Sequence, residues 1–174
     1  MQEIEAKILE IDRVAVEKKL RVLGAQKVFD GNLDVRYFDT PTRRLGKRGI
    51  VLRLRKKGSE AELTIKRNLV SIRRAKQAEE LELKVDFKTA YTMMYVLGFI
   101  EQSRMTKHRF EYVLDTAHIE IDKIANIPWL LEIEASSEKE ITSIAERLGF
   151  RADECKPWWW KDVKKYYAKK GILL

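Results

Sequence analysis

A chain of 174 residues, 45% hydrophobic, suits one domain with a sizeable core, expected to run over residues 1–174. Its charged fraction of 36% and net charge of +8 point to an anionic partner: nucleic acid, an acidic membrane surface or a phosphorylated small molecule. A lone Cys155 excludes an internal disulfide framework and, with two histidines, argues against a zinc site; with no signal stretch and no run long enough to span a bilayer, a cytoplasmic protein is expected.

The chain opens with "EIEAKI", alternating at period two as a strand does. "EIDRVAVEKKLRVLG" follows as a helix, capped by Asp12 and stopped at Gly24. "LDVRYFDTP" reads as a strand ended by Pro41. The basic turn "TRRLGKRG" leads to the strand "IVLRLRKK", and Lys57 and Gly58 turn it into "EAELTIKR". "NLVSIRRAKQ" reads as a second basic connector before the strand "EELELKV". A helix over "FKTAYTMMYVLG" closes at Gly98. Three strands follow, "MTKHRFEYVL", "AHIEIDKI" and "LLEIEAS", the first two joined at Asp115 and Thr116. Ser137 and Glu140 stand at capping-box spacing before a third helix, and a short amphipathic helix from Pro157 ends the chain.

Nearly every strand carries one apolar and one charged face. Arg53 and Arg55 oppose Ile50, Leu52 and Leu54; Glu80, Glu82 and Lys84 oppose Leu81, Leu83 and Val85. Glu120 and Asp122 oppose Ile119 and Ile121, and Glu132 and Glu134 oppose Leu131 and Ile133. An antiparallel sheet with helices on one face and water on the other explains any one strand. The set suggests more, because like charges crowded on one strand cost energy unless an opposite charge compensates them. A closed barrel with a charged lumen provides that compensation. Basic pairs would grip a polyanion there, and acidic pairs would hold a divalent cation.

"EIEAK" resembles the N-terminal E-x-E-x-K signature of the CYTH, or triphosphate tunnel metalloenzyme, superfamily, which includes class IV adenylate cyclases, thiamine triphosphatases and inorganic triphosphatases. "YFDTP", "RGIVLRLR", "LTIK", "EELE", "KHR", "IEID" and "LLEIE" resemble the family's further motifs in order, over about residues 1–150. The resemblance implies an α+β fold, an eight-stranded antiparallel closed β-barrel or tunnel with a charged lumen and helices packed outside. It implies Mg²⁺ or Mn²⁺ as cofactor, with Glu3, Glu5, Asp122, Glu132 and Glu134 as metal-associated carboxylates. Lys7, Arg53, Arg55, Lys66, Lys107 and Arg109 match the basic residues around the triphosphate, while Glu80 and Glu82 match interior acids that, with Lys7, are the catalytic candidates. Glu120 shares their parity. Many relatives carry an Arg where this chain has Ala78; Lys76 and Arg74 are the candidates to replace it. "PWWWKDVKKYY" stands in place of the usual C-terminal Ser-Tyr motif.

The function expected is metal-dependent hydrolysis of inorganic or nucleoside triphosphates. A class IV adenylate cyclase is the nearest alternative, and a noncatalytic polyphosphate or RNA binder the third. The expected partner is a triphosphate-containing small molecule ahead of nucleic acid, with no membrane; a homodimer stays open. Trp158, Trp159 and Trp160 are expected to seal a helix against the barrel rather than to stack bases. Arg43, Arg44, Lys47 and Arg48 could steer an anion or form a solvated loop. Met93 and Met94 fit helix packing, His108 the outer face, and His118 the inner face.

Overall fold

The computed structural model describes residues 2–172. Its strands are β1 (Gln2–Ile8), β2 (Gln26–Asp39), β3 (Val51–Lys57), β4 (Glu60–Ile72), β5 (Ala75–Lys84), β6 (Ile100–Leu114), β7 (Ala117–Lys123) and β8 (Leu130–Ala135). They close into an antiparallel barrel in the order β1-β5-β4-β3-β2-β6-β7-β8, with charged residues buried inside. The α-helices are α1 (Arg13–Val22), α2 (Arg44–Lys47), α3 (Phe87–Val96), α4 (Glu138–Arg147) and α5 (Trp160–Lys169). No helix among the described residues is long and apolar enough to cross a membrane.

Local chemistry sets the helix ends. Asp12 accepts from the Ala15 amide at 3.1 Å, and Asp86 from the Thr89 amide at 2.8 Å. Gly24 and Gly98, at φ 79° and 83°, take the left-handed conformation that ends α1 and α3 at low steric cost. Ser137 caps α4, accepting from the Glu140 amide at 3.2 Å. The Glu140 carboxylate reaches back one residue further than a capping box requires, accepting from the amide and hydroxyl of Ser136.

Four strands run longer than their patterns suggest. β2 begins at Gln26 rather than Leu33 and passes straight through "DGN". β6 begins at Ile100 rather than Met105. "NLVSIRRAKQ" is not a connector: it forms the end of β4, a turn at Arg73 and Arg74, and the start of β5. Asn68 and Arg73, at φ 54° and 30°, supply the left-handed positions there without glycine or proline. The first basic turn also folds, as α2. Asp39 organises it, accepting from the amides of Thr40, Leu45 and Gly46 at 2.7–2.9 Å. Burial alone would raise the Asp39 pKa, but these backbone donors hold it below the usual carboxylate value.

The described residues form two compact units. One comprises Gln2, Gly31–Leu69 and Ala78–Lys107. Its core joins Phe38, Leu52 and Leu54 to Ala90 and Met94 of α3, with Tyr91 edge-on to Phe38 at 5.7 Å. Met94 is buried as its helical face requires, whereas Met93 points to solvent.

The second unit comprises Glu3–Asp30, Val70–Gln77 and the chain from His108 onward. Its core packs Val16 and Leu20 of α1 and Ile141, Ile144 and Ala145 of α4 against the apolar residues of β1, β6, β7 and β8. Each fully buried leucine or isoleucine contributes about 1.5–3 kcal/mol to this packing. The C-terminal segment joins β1 through two backbone hydrogen bonds between Lys7 and Lys156, of 3.0 and 2.8 Å. Beyond them, α5 buries Val163 and Tyr167, and Trp158 packs against Tyr166 at 5.3 Å.

Candidate active site

In the second unit, strand register decides which charges meet. Across β1 and β8, Lys7 lies opposite Glu132 and Glu5 opposite Glu134. Across β6 and β7, Arg109 lies opposite Asp122 and Glu111 opposite Glu120. Two of these pairs attract. The other two set carboxylates face to face, an arrangement that costs energy unless a cation lies close by.

Arg109 is one such cation. Only 2% exposed, it donates from Nε and Nη2 to the two Asp122 oxygens at 2.7 and 2.8 Å. Its Nη1 contacts Glu120, and Nη2 lies 3.8 Å from Glu132. Burial would lower its pKa, but these carboxylates raise it, so the guanidinium stays charged. Lys7 pairs with Glu132 and lies 3.8 Å from Glu5. Lys76, 4% exposed, pairs with Glu5 and lies 3.8 Å from Glu132. Burial lowers the Lys76 pKa against the opposing pull of Glu132, Glu3, Glu120 and Glu134.

Glu120, Asp122 and Glu132 each offer an oxygen, all within 4.8 Å of one another. Three converging carboxylates suit a hard divalent ion such as Mg²⁺ or Mn²⁺, which prefers oxygen ligands and keeps several waters. Asp122 and Glu132 are buried, as is Glu5, which shares Lys7 and Lys76 with Glu132, while Glu3 and Glu134 are partly buried on β1 and β8.

The first unit holds its own ionic cluster. Arg55 donates from Nε and Nη2 to one Glu62 oxygen, at 2.9 and 2.6 Å, across the β3–β4 register. Arg53 donates to Thr64 at 3.1 Å and to Glu80 at 3.2 Å, and Lys66 meets Glu80 at 2.9 Å. Glu82 accepts from Thr64 at 3.3 Å and lies 3.7 Å from both arginines. The Arg53 Nε is buried with no hydrogen-bond partner, a donor that an anionic oxygen would satisfy. Lys107 lies half-buried in the same unit.

Glu62 and Thr64, on the charged face of their strand, belong to these clusters, and so does Lys76, which strand patterning passed over. Patterning missed Lys76 because its segment reads as a connector, although it shares the parity of Glu80 and Glu82; the family resemblance alone named it, as a replacement for the Arg missing at Ala78. Arg43, Arg44, Lys47 and Arg48 are exposed. His118, expected to face inward, is largely exposed, with its Nδ1 3.8 Å from Glu111. His108 packs against the Phe110 ring at 4.8 Å and meets Asp30 at 3.0 Å.

A family model for the CYTH domain matches residues 1–152. Solved structures share the fold. The PH1012 protein of Pyrococcus horikoshii OT3 is 26% identical, with 92% of this chain and 98% of that chain covered and a TM-score of 0.75. A candidate adenylate cyclase from Vibrio parahaemolyticus is 16% identical over 92% of this chain and 96% of that one, with a TM-score of 0.81. HpAC1 of Hippeastrum, a candidate adenylyl cyclase described as having a dominant triphosphatase activity, is 16% identical over 99% and 97%, with a TM-score of 0.72. No curated protein matches the chain in sequence.

Proposed function

Because the chain belongs to the CYTH family, we propose that it is a divalent-metal-dependent hydrolase that removes the terminal phosphate from inorganic triphosphate or a nucleoside triphosphate. The observation that carries this reading is the convergence of Glu120, Asp122 and Glu132, within 4.8 Å, on a buried arginine. Glu3, Glu5 and Glu134 extend the acidic set. When bound, Mg²⁺ or Mn²⁺ supplies charge neutralisation at the phosphate oxygens.

The chain's own residues do the rest. Lys7, Arg53, Arg55, Lys66, Lys107 and Arg109 bind and orient the phosphates, and the unpaired Arg53 Nε is ready to donate to one of their oxygens. Glu80 and Glu82 hold the arginines and Lys66 in place. With Lys7 they also position water for attack on the terminal phosphorus. Phosphoryl transfer has a loose transition state, so orientation and charge stabilisation supply most of the rate.

The test is a product assay. Purified protein is incubated with inorganic triphosphate, ATP and thiamine triphosphate, each with Mg²⁺ or Mn²⁺. Release of orthophosphate supports the hydrolase. Cyclic AMP and pyrophosphate from ATP would replace it with a cyclase, and tight RNA binding without turnover would replace it with a binder.

A further inference from the structure

The acidic set of the second unit is already partly occupied by a cation the chain provides. Lys76 reaches Glu5 and stands 3.8 Å from Glu132, with its side chain 5% exposed. Its Nζ also lies 4.2 Å from the centroid of the Trp159 ring. The two backbone bonds between Lys7 and Lys156 tie the segment carrying that ring to β1. An ammonium between carboxylates on one side and an indole face on the other has two favourable seats.

Charge makes the consequence specific. The ion pairs join four carboxylates, Glu5, Glu120, Asp122 and Glu132, to three cations, Lys7, Lys76 and Arg109. The set has an excess of negative charge, to which Glu3 and Glu134 add, and each of the three cations against it opposes the approach of a divalent ion. Lys7 and Arg109 lie in register with acidic partners on neighbouring strands. Among the described residues, Lys76 alone of the three has an aromatic ring against it.

We propose that Lys76 is an internal competitor of the divalent metal: it neutralises Glu5 and Glu132 when the ion is absent and gives up those carboxylates for the Trp159 ring it already touches when the ion binds, so that the pair sets the site's metal affinity. This rests on the reading of the acidic set as a metal site. Lys76 is a positioning residue, acting through the carboxylates it releases.

The experiment reads metal binding, not turnover. Mn²⁺ is titrated calorimetrically into the wild type, Lys76→Met and Lys76→Arg, with no phosphate compound present. Repulsion between a single and a double charge about 6 Å apart weakens binding about tenfold even at the dielectric of water, so Lys76→Met should bind Mn²⁺ at least about tenfold more tightly. Lys76→Arg, which keeps the charge, should stay close to wild type. A second measurement needs no change at Lys76: Mg²⁺ should alter the tryptophan emission of the wild type, and Trp159→Phe should lose most of that change. Equal or weaker Mn²⁺ binding by Lys76→Met overturns the proposal, as does absence of Mn²⁺ binding in all three proteins. If Lys76→Met does not fold, the emission arm decides, and an unchanged wild-type spectrum or an undiminished response in Trp159→Phe overturns it. A wild type that binds Mn²⁺ under this competition but releases no phosphate would remove the hydrolase reading and leave this one standing.

Discussion

Replacing Arg109 with Met removes the most buried cation among the described residues. Its guanidinium makes two bonds to Asp122, at 2.7 and 2.8 Å, contacts Glu120 and lies 3.8 Å from Glu132. Methionine fills much of the same volume but leaves these carboxylates without their shared partner. Removing one member of a buried ion pair typically costs about 3–5 kcal/mol, because the remaining charge stays buried and uncompensated. At about 2–4 °C per kcal/mol for a chain of this size, the melting temperature should fall by roughly 6–20 °C. The assay is thermal denaturation followed by circular dichroism at pH 7 without metal. Repeating it with Mn²⁺ adds a specific signature: a divalent ion replaces the missing charge, so the variant should gain more melting temperature from the metal than the wild type does. A fall of less than about 2 °C would refute the reasoning, since Arg109 could not then be compensating buried carboxylates.

Glu132→Gln should lower kcat/KM for triphosphate hydrolysis on the order of 10²-fold while the protein still melts cooperatively; full activity would remove Glu132 from the site. Asp39→Ala should cost about 1–3 kcal/mol at pH 7 by leaving three backbone donors without their acceptor. Because folding lowers the Asp39 pKa, its contribution is full above the unfolded value near 3.8 and fades as pH falls through the lower folded value. Urea denaturation should therefore show the gap between wild type and variant closing in strong acid; a gap independent of pH contradicts the assignment. Burial pushes the Cys155 thiol up to about 11. Iodoacetamide at pH 8 should label Cys155 slowly in the native protein and rapidly in urea, and equal rates would show that the thiol is not shielded.

All eight strands were visible as runs of alternating residues, because most carry one face packed into a core and one charged face; β5 departs from this, with Leu81 and Leu83 exposed. Their ends were less legible. "DGN" has the composition of a hairpin turn, yet β2 runs through it, since barrel pairing outweighs a local preference. "SIRRAK" turns through two arginines and without a glycine, so the β4–β5 hairpin had no local signal. Parity identified Arg53, Arg55, Glu80, Asp122 and Glu132 as candidates, because residues two apart share a face whatever their partners. It did not reveal that Glu5 would lie opposite Glu134, or Glu111 opposite Glu120, since those pairings depend on register between distant segments. Lys76 escaped strand patterning for both reasons and was named by the family resemblance alone.

The most direct test of a buried metal-binding carboxylate set is a crystal structure of the protein soaked with Mn²⁺, with the ion located by its anomalous signal. The account predicts a peak at coordination distance from oxygens of Asp122 and Glu132, with Glu120 alongside. Manganese found only on exposed acids such as Asp153, with Glu120, Asp122 and Glu132 still held by Arg109 and Lys7, would contradict it.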